Sequence, residues 1–312
     1  MAIIVGVAGI TGKFANLVVE NLLQQPNVTV RGFCRNASKL PPSFQTSQRI
    51  DVIQGDSKDL KALRSFVKGT DVIICCYLGD DELMTNGQKL LVDACDLEGV
   101  RRYIASDYCL DFTKLEYGQL PAKDPMKIVK EYIETKQTLE GVHVLIGIFM
   151  ETFWSKYFDV WNPDEYKFSF YGSGDELWES TTYGTAAEYV AAVALDGNAV
   201  GEQHFLGDRK SIRQIAAICE EVYGRKIHLE RLGTLDDLYD SMQQSYRENR
   251  SNIYAYLAKF YQYYCQSGQT YLKKDLDNAK YPSVKPVTFE DFLHSHKLED
   301  LADTYQNAGK RD

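Results

Sequence analysis

An apolar run, Ala2-Ile3-Ile4-Val5, passes straight into three glycines spaced three apart, Gly6, Gly9 and Gly12, and then into an amphipathic segment. No other feature limits the choice of fold as strongly. A strand, a tight glycine turn and a helix, in that order, open a βαβ unit. In such a unit Gly6 allows the turn, Gly9 lets the backbone approach a pyrophosphate, and Gly12 lets the helix lie close to the strand. The helix covers residues 14–24, with Phe14, Leu17, Val18 and Leu22 on one face. Its first N–H groups lack partners inside the helix and face whatever anion sits on the turn. The segment from Gly6 through Ile10 and Thr11 to Gly12 is therefore read as a dinucleotide-binding turn.

The alternation continues. Strand patterns at 28–34, 50–54, 71–76, 102–106 and 143–148 are interleaved with helical patterns at 60–67, 87–98 and 126–139. That order implies parallel strands buried on both faces. The fold class expected is α/β, a Rossmann-type doubly wound parallel sheet with a smaller, mostly helical substrate lobe. Residues 1–150 form the dinucleotide domain and 151–312 the lobe, with parts of 182–230 returning to the sheet. In the lobe, 166–171 reads as a strand before a Gly172-Ser173-Gly174 turn. Residues 185–195 and 212–223 read as helices, and 236–264 as one long helical stretch rich in Tyr and Gln.

Composition removes several function classes. The chain has 312 residues, 44% hydrophobic and 25% charged, with a net charge of -9. That acidity and the lack of a long basic run speak against nucleic acid as a partner. No apolar run has the length of a membrane span, and the N-terminus lacks the features of a signal peptide. The seven cysteines show no metal-ligand spacing, so no metal is expected, and they read as buried thiols of a cytoplasmic protein.

The end of the second strand selects the dinucleotide. An acid there would bind a ribose 2′-hydroxyl, whereas an arginine suits a 2′-phosphate. No acid stands between Glu20 and Asp51, and Arg35 follows the strand directly. Its planar fork suits a phosphate, with Lys39 or Lys13 assisting, so the cofactor expected is NADP(H).

With these residues in view, the sequence resembles the NmrA-like and isoflavone-reductase-like atypical short-chain dehydrogenases. The resemblance rests on Gly6 to Gly12, the Arg-Asn-Ala-Ser-Lys-Leu run from Arg35, Gly55-Asp56-Ser57-Lys58-Asp59 and Gly69-Thr70-Asp71-Val72. It extends through residues 100–108, the Lys127-Ile128-Val129-Lys130-Glu131 helix start and Phe149-Met150-Glu151-Thr152-Phe153, and covers about residues 1–230. It implies an NADP(H) domain with a substrate cleft over the nicotinamide. Asp56 and Ser57 would lie near the adenine, Cys76 and Tyr77 on a loop passing the cofactor, and Lys127 and Phe149 at the nicotinamide end. The family includes reductases of plant and fungal natural products and redox sensors without turnover. One departure matters. The Tyr-x-x-x-Lys motif of ordinary short-chain dehydrogenases is missing, because Lys123 stands four residues before Lys127. No proton donor is thereby assigned.

Lys127 is read as the residue nearest the nicotinamide, binding its ribose or polarising a double bond. Ser106 and Tyr108 lie just past the fifth strand, where open α/β sheets bind ligands, and are the other catalytic candidates. Asp107 is read as a turn cap, His143 as part of a strand, and no Ser/His/Asp triad is proposed. The aromatics Phe149, Phe153, Trp154 and Tyr157 suit a large, flat, partly apolar molecule. The leading expectation is an oxidoreductase reducing or oxidising a C=C, C=N or C=O bond of a bulky, aromatic or polycyclic natural product. The alternatives are an NADP(H) sensor and a redox-assisted cyclase of an alkaloid or polyketide pathway. A homodimer is compatible with the aromatic late helix.

Overall fold

The computed structural model describes residues 2–308. The main sheet is built from β1 (Ile3–Ala8), β2 (Val28–Cys34), β3 (Ile50–Gln54), β4 (Val72–Cys75), β5 (Arg102–Ile104) and β6 (Glu140–Leu145). A short β7 (Ile148–Phe149) follows, then β8 (Trp161–Asn162), β9 (Lys167–Tyr171), β10 (Leu177–Thr181), β11 (Gly201–His204), β12 (Asp208–Ser211) and β13 (His228–Gly233). Seven strands pair in the order β11-β6-β5-β4-β1-β2-β3, all parallel. The chain starts in the middle, runs out to β3 and returns to the other side of β1. The crevice between the C-terminal ends of β1 and β4 is thus the switch point where such sheets bind ligands. This is the α/β, Rossmann-type, doubly wound architecture expected from the alternation.

Two cores sandwich the sheet. On one face Val18, Val19 and Leu22 of the Lys13–Leu22 helix pack with Ala186, Val190 and Val193 of the Tyr183–Leu195 helix. On the other face Leu63 and Phe66 join Leu91, Cys95, Val129 and Ile133. Helix ends follow local chemistry. Asp59 accepts the N–H groups of Lys61 and Ala62 to start the Leu60–Val67 helix, and Gly99, at φ 73°, ends the Gln88–Glu98 helix.

Three details differ from the sequence reading. The sixth strand is two strands, because Gly147 turns the chain at φ +71°, where a Cβ would fall 2.3 Å from the Glu179 carbonyl oxygen. β7 then leaves the main sheet to pair with β10. The lobe holds more strand than expected, in two three-stranded sheets, β12-β10-β7 and β13-β9-β8. The helical stretch expected over 236–264 is two helices, Leu235–Glu248 and Leu257–Gln266. Asn249 ends the first, its N–H and side-chain amide both donating to the Ser245 carbonyl, and Tyr246 packs edge-on against Tyr256 and Phe260 across the break. From the 182–230 region, β11 pairs with β6 at the sheet edge.

Candidate active site

The phosphate end of the site is built by the turn after β1. Gly6 lies inside that strand, in register with Arg31 and Ile73, and a Cβ there would meet the Ile73 Cδ1 at 2.2 Å. Its lack of a side chain serves packing beneath the sheet, and the turn itself runs from Gly9 to Gly12. Gly9 has φ +77°, and a Cβ on it would stand 2.8 Å from the Cys76 carbonyl oxygen. The N–H groups of Gly9 and Ile10 both donate to the Phe33 carbonyl, at 2.9 and 3.3 Å, which fixes the turn against β2. Ile10 is fully buried and Thr11 half-buried. Gly12 is the cap residue of the next helix, and Ala15, one turn on, is buried. No side chain caps this helix and its first turn carries no acid, so its N–H groups and positive dipole end suit an anion. The chain thus fits the pyrophosphate of a dinucleotide through backbone that side chains leave uncovered.

Arg35 is exposed just past the end of β2 and makes no ion pair among the described residues. Lys39 is exposed at the end of a short turn that Asn36 caps by accepting the Ser38 N–H. Arg31 is spent elsewhere, donating to the carbonyls of Phe66 and Lys68. Past β3, the Asp56 carboxylate accepts the Lys58 N–H at 2.9 Å, and Ser57 beside it is half-buried.

At the opposite end, the loops after β4 and β5 are tied together. Cys76 donates its N–H to the Ala8 carbonyl at 2.9 Å. Tyr77 is buried, with a hydroxyl that has no partner among the described residues. The Ser106 hydroxyl donates to the Tyr77 carbonyl at 2.7 Å, and the Tyr108 hydroxyl to the Cys75 carbonyl at 2.9 Å. Both hydroxyls expected near the reacting atoms are thus used to hold loop backbone. Tyr108 has φ 36°, a left-handed conformation that costs a non-glycine residue about 1–2 kcal/mol. That backbone turns its ring to 4.6 Å from Phe14. Phe149 stacks on Tyr183 at 3.8 Å, and Phe14 lies 5.5 and 6.0 Å from this pair. Phe14, Tyr108, Phe149 and Tyr183 therefore form an aromatic wall at the first turn of the Lys13–Leu22 helix.

The two lysines at the start of the next helix have different surroundings. Pro125 sits in its first turn, so the helix begins at Asp124 and Lys123 becomes its cap residue. Lys127, one turn on, donates to the Leu115 carbonyl at 2.6 Å and lies 4.0 Å from the ring centroid of the half-exposed Tyr117. Lys123 is the buried one, only 5% exposed. Its neighbours are the Cys109 thiol and Tyr261, whose ring centroid is 5.4 Å from the ammonium. No carboxylate stands within ion-pair distance of it among the described residues. Burial opposes its charge, while the Cys109 thiol and the Tyr261 hydroxyl beside it act the other way, and its pKa is raised. Burial in turn pushes the Cys109 thiol up to about 11, against the pull of Lys123. Cys109 bridges to Leu145 at the C-terminal end of β6, so this cation stands on the ligand-binding edge of the sheet. Burial pushes the Tyr157 phenol up, and Lys123 pulls the other way.

Sequence reasoning also missed two buried carboxylates. Asp107 pairs with His143 Nδ1 at 2.6 Å, and its other oxygen has no partner among the described residues. Glu151, just past Phe149, accepts the Tyr183 N–H with both oxygens at 3.0 and 3.1 Å, and burial raises its pKa to about 7. Neither has a spacing signature, since their partners are 36 and 32 residues away in sequence. Among the described residues, no cluster of three His, Cys, Asp or Glu is placed to hold a metal, and no helix is long and apolar enough to cross a membrane.

Comparison with known proteins agrees with this geometry. A family profile described as NAD(P)H-binding matches residues 9–142, starting at the glycine that opens the turn. An oxidoreductase of Cryptosporiopsis sp. is 29% identical over 80 residues, 25% of this chain and 34% of that protein. This chain therefore spans about a third of the length of such fungal relatives. Isoflavone reductase of Glycine max is 23% identical over 280 residues, 82% of this chain and 81% of that protein. The structure of leucoanthocyanidin reductase from Vitis vinifera in binary complex with NADPH superposes with a TM-score of 0.77 at 16% identity, over 96% of this chain and 99% of that one. Residues 9–142 are thus an NAD(P)H-binding domain. The chain is similar to isoflavone reductase over most of its length, as its motifs indicated, and it shares the fold of the solved isoflavone reductase over 95% of its residues, with a TM-score of 0.79.

Proposed function

We propose that the protein is an NADP(H)-dependent oxidoreductase for a bulky, flat small molecule, and that Lys123 meets the charge that develops on the acceptor. The observation that carries this reading is a buried lysine with no carboxylate within ion-pair distance among the described residues, beside Cys109 on the ligand-binding edge of the sheet. Burying an uncompensated charge costs several kcal/mol. A sensor that binds cofactor without turnover has no use for that cost. When bound, the nicotinamide supplies or accepts a hydride. The chain supplies the rest: an uncapped helix for the phosphates, an aromatic wall of Phe14, Tyr108, Phe149 and Tyr183 that excludes water, and a fixed positive charge for a C=C, C=N or C=O group. The test is to incubate the protein with NADPH and a panel of polycyclic enones, imines and ketones, following cofactor absorbance and products. Cofactor oxidation with a matching reduced product is expected, and a panel without any turnover would overturn the proposal.

The same reading gives Arg35 to the 2′-phosphate. A charge-assisted contact of about 1.5–3 kcal/mol corresponds to roughly 10- to 150-fold in affinity. Arg35→Ala should weaken NADPH by that factor and leave NADH nearly unchanged in a fluorescence titration. Equal preference for both cofactors in the unsubstituted protein would remove this role.

A further inference from the structure

A segment far along the chain packs against the helix that follows the glycine turn. The turns Leu298–Asp303 and Thr304–Asn307 run from the lobe to Glu151 and to Lys13. Thr304 is buried, and its hydroxyl donates to the carbonyls of Leu301 at 2.7 Å and Glu151 at 3.3 Å. The Tyr305 ring lies 6.4 Å from Tyr183, part of the aromatic wall. Lys13, the first residue of the helix behind the glycine turn, donates to the carbonyls of Tyr305 at 3.3 Å and Gln306 at 3.0 Å. Its ammonium is also 5.2 Å from the Tyr305 ring centroid.

An ammonium has three donors. The strap takes two and leaves one, on a lysine adjacent to the residue that caps the phosphate-binding helix. Held by two backbone carbonyls, the side chain loses rotamer freedom before any ligand arrives, so a later bond to an anion costs less entropy. We infer that Lys13 is a ligand of the cofactor's pyrophosphate and that residues 304–308 form a strap that positions it. This rests on the reading of the chain as a dinucleotide-binding protein. Cofactor binding and strap order are then coupled, and by linkage each strengthens the other.

Hydrogen exchange on the full chain, with and without NADPH, tests the coupling, beside a fluorescence titration of the same samples. NADPH is expected to slow exchange across 304–308 about tenfold, the size of one 1.4 kcal/mol contact. In Lys13→Met the slowing should vanish and NADPH should bind about tenfold more weakly. Lys13 is exposed, so this variant keeps its fold. Thr304→Val, which touches neither Lys13 nor the glycine turn, should weaken NADPH several-fold by loosening the strap. Bound NADPH with unchanged exchange at 304–308, or full affinity in Lys13→Met, overturns the strap and leaves the cofactor reading intact. No NADPH binding by the unsubstituted protein overturns both.

Discussion

Lys123→Met is expected to bind NADPH as the unsubstituted protein does and to lose about 100- to 1000-fold in kcat, the usual cost of removing one group aimed at developing charge. Methionine matches the lysine stem in length and fills the buried space. The substitution deletes a charge from an apolar environment, which is commonly neutral or stabilising. Lost activity would therefore not report lost fold, and unchanged thermal unfolding would confirm that. The Lys123 pKa is raised, so the group keeps its proton and its first task is to stabilise negative charge. Lys127→Met, which removes only the bond to Leu115 and the contact with Tyr117, should keep kcat within about twofold, because surface substitutions rarely reach the chemistry. The decisive comparison is between the two variants. If Lys127→Met loses turnover and Lys123→Met retains it, the site assembled around Lys123 is not the active site.

How legible this pair was shows where sequence reasoning ends. Both lysines are visible, and so is the helix, but which of them is buried depends on packing against Cys109 and Tyr261 from other segments. The helix starts at Asp124, which makes Lys123 its cap residue, and Lys127 donates to the Leu115 carbonyl. The same holds for the glycines. Strand, turn and helix were all readable, yet strand pairing places Gly6 inside β1 and shifts the turn to Gly9. Local periodicity yields the parallel sheet because each βαβ unit is contiguous in sequence. It does not yield the split between β6 and β7, which depends on Gly147 meeting Glu179 from another element. Ser106 and Tyr108 were placed on the right loop, but the direction of their hydroxyls depends on contacts with Tyr77 and Cys75 some thirty residues away.

Glu151 carries the second large expectation, a stability that falls as pH rises. Its folded carboxyl has a pKa of about 7, against an ordinary 4.5, because burial disfavours the anion more than the Tyr183 N–H favours it. Between these values the folded state holds a proton that the unfolded state releases, so stability declines with pH across the interval. The contribution is fully present below about pH 4.5 and is lost once pH passes 7. At 1.36 kcal/mol for each pH unit of that interval the loss approaches about 3 kcal/mol. Glu151→Gln keeps an acceptor for the Tyr183 N–H and has nothing to ionise, so it should lack this decline. Urea unfolding of both proteins at pH 5, 6, 7 and 8 measures the difference directly. The variant should gain on the unsubstituted chain step by step up to pH 7 and then run parallel to it. Two curves parallel from pH 5 upward would mean that Glu151 ionises like an exposed carboxylate. In that case Glu151, buried and bonded to Thr304 through its carbonyl, would need solvent that the packing there does not show.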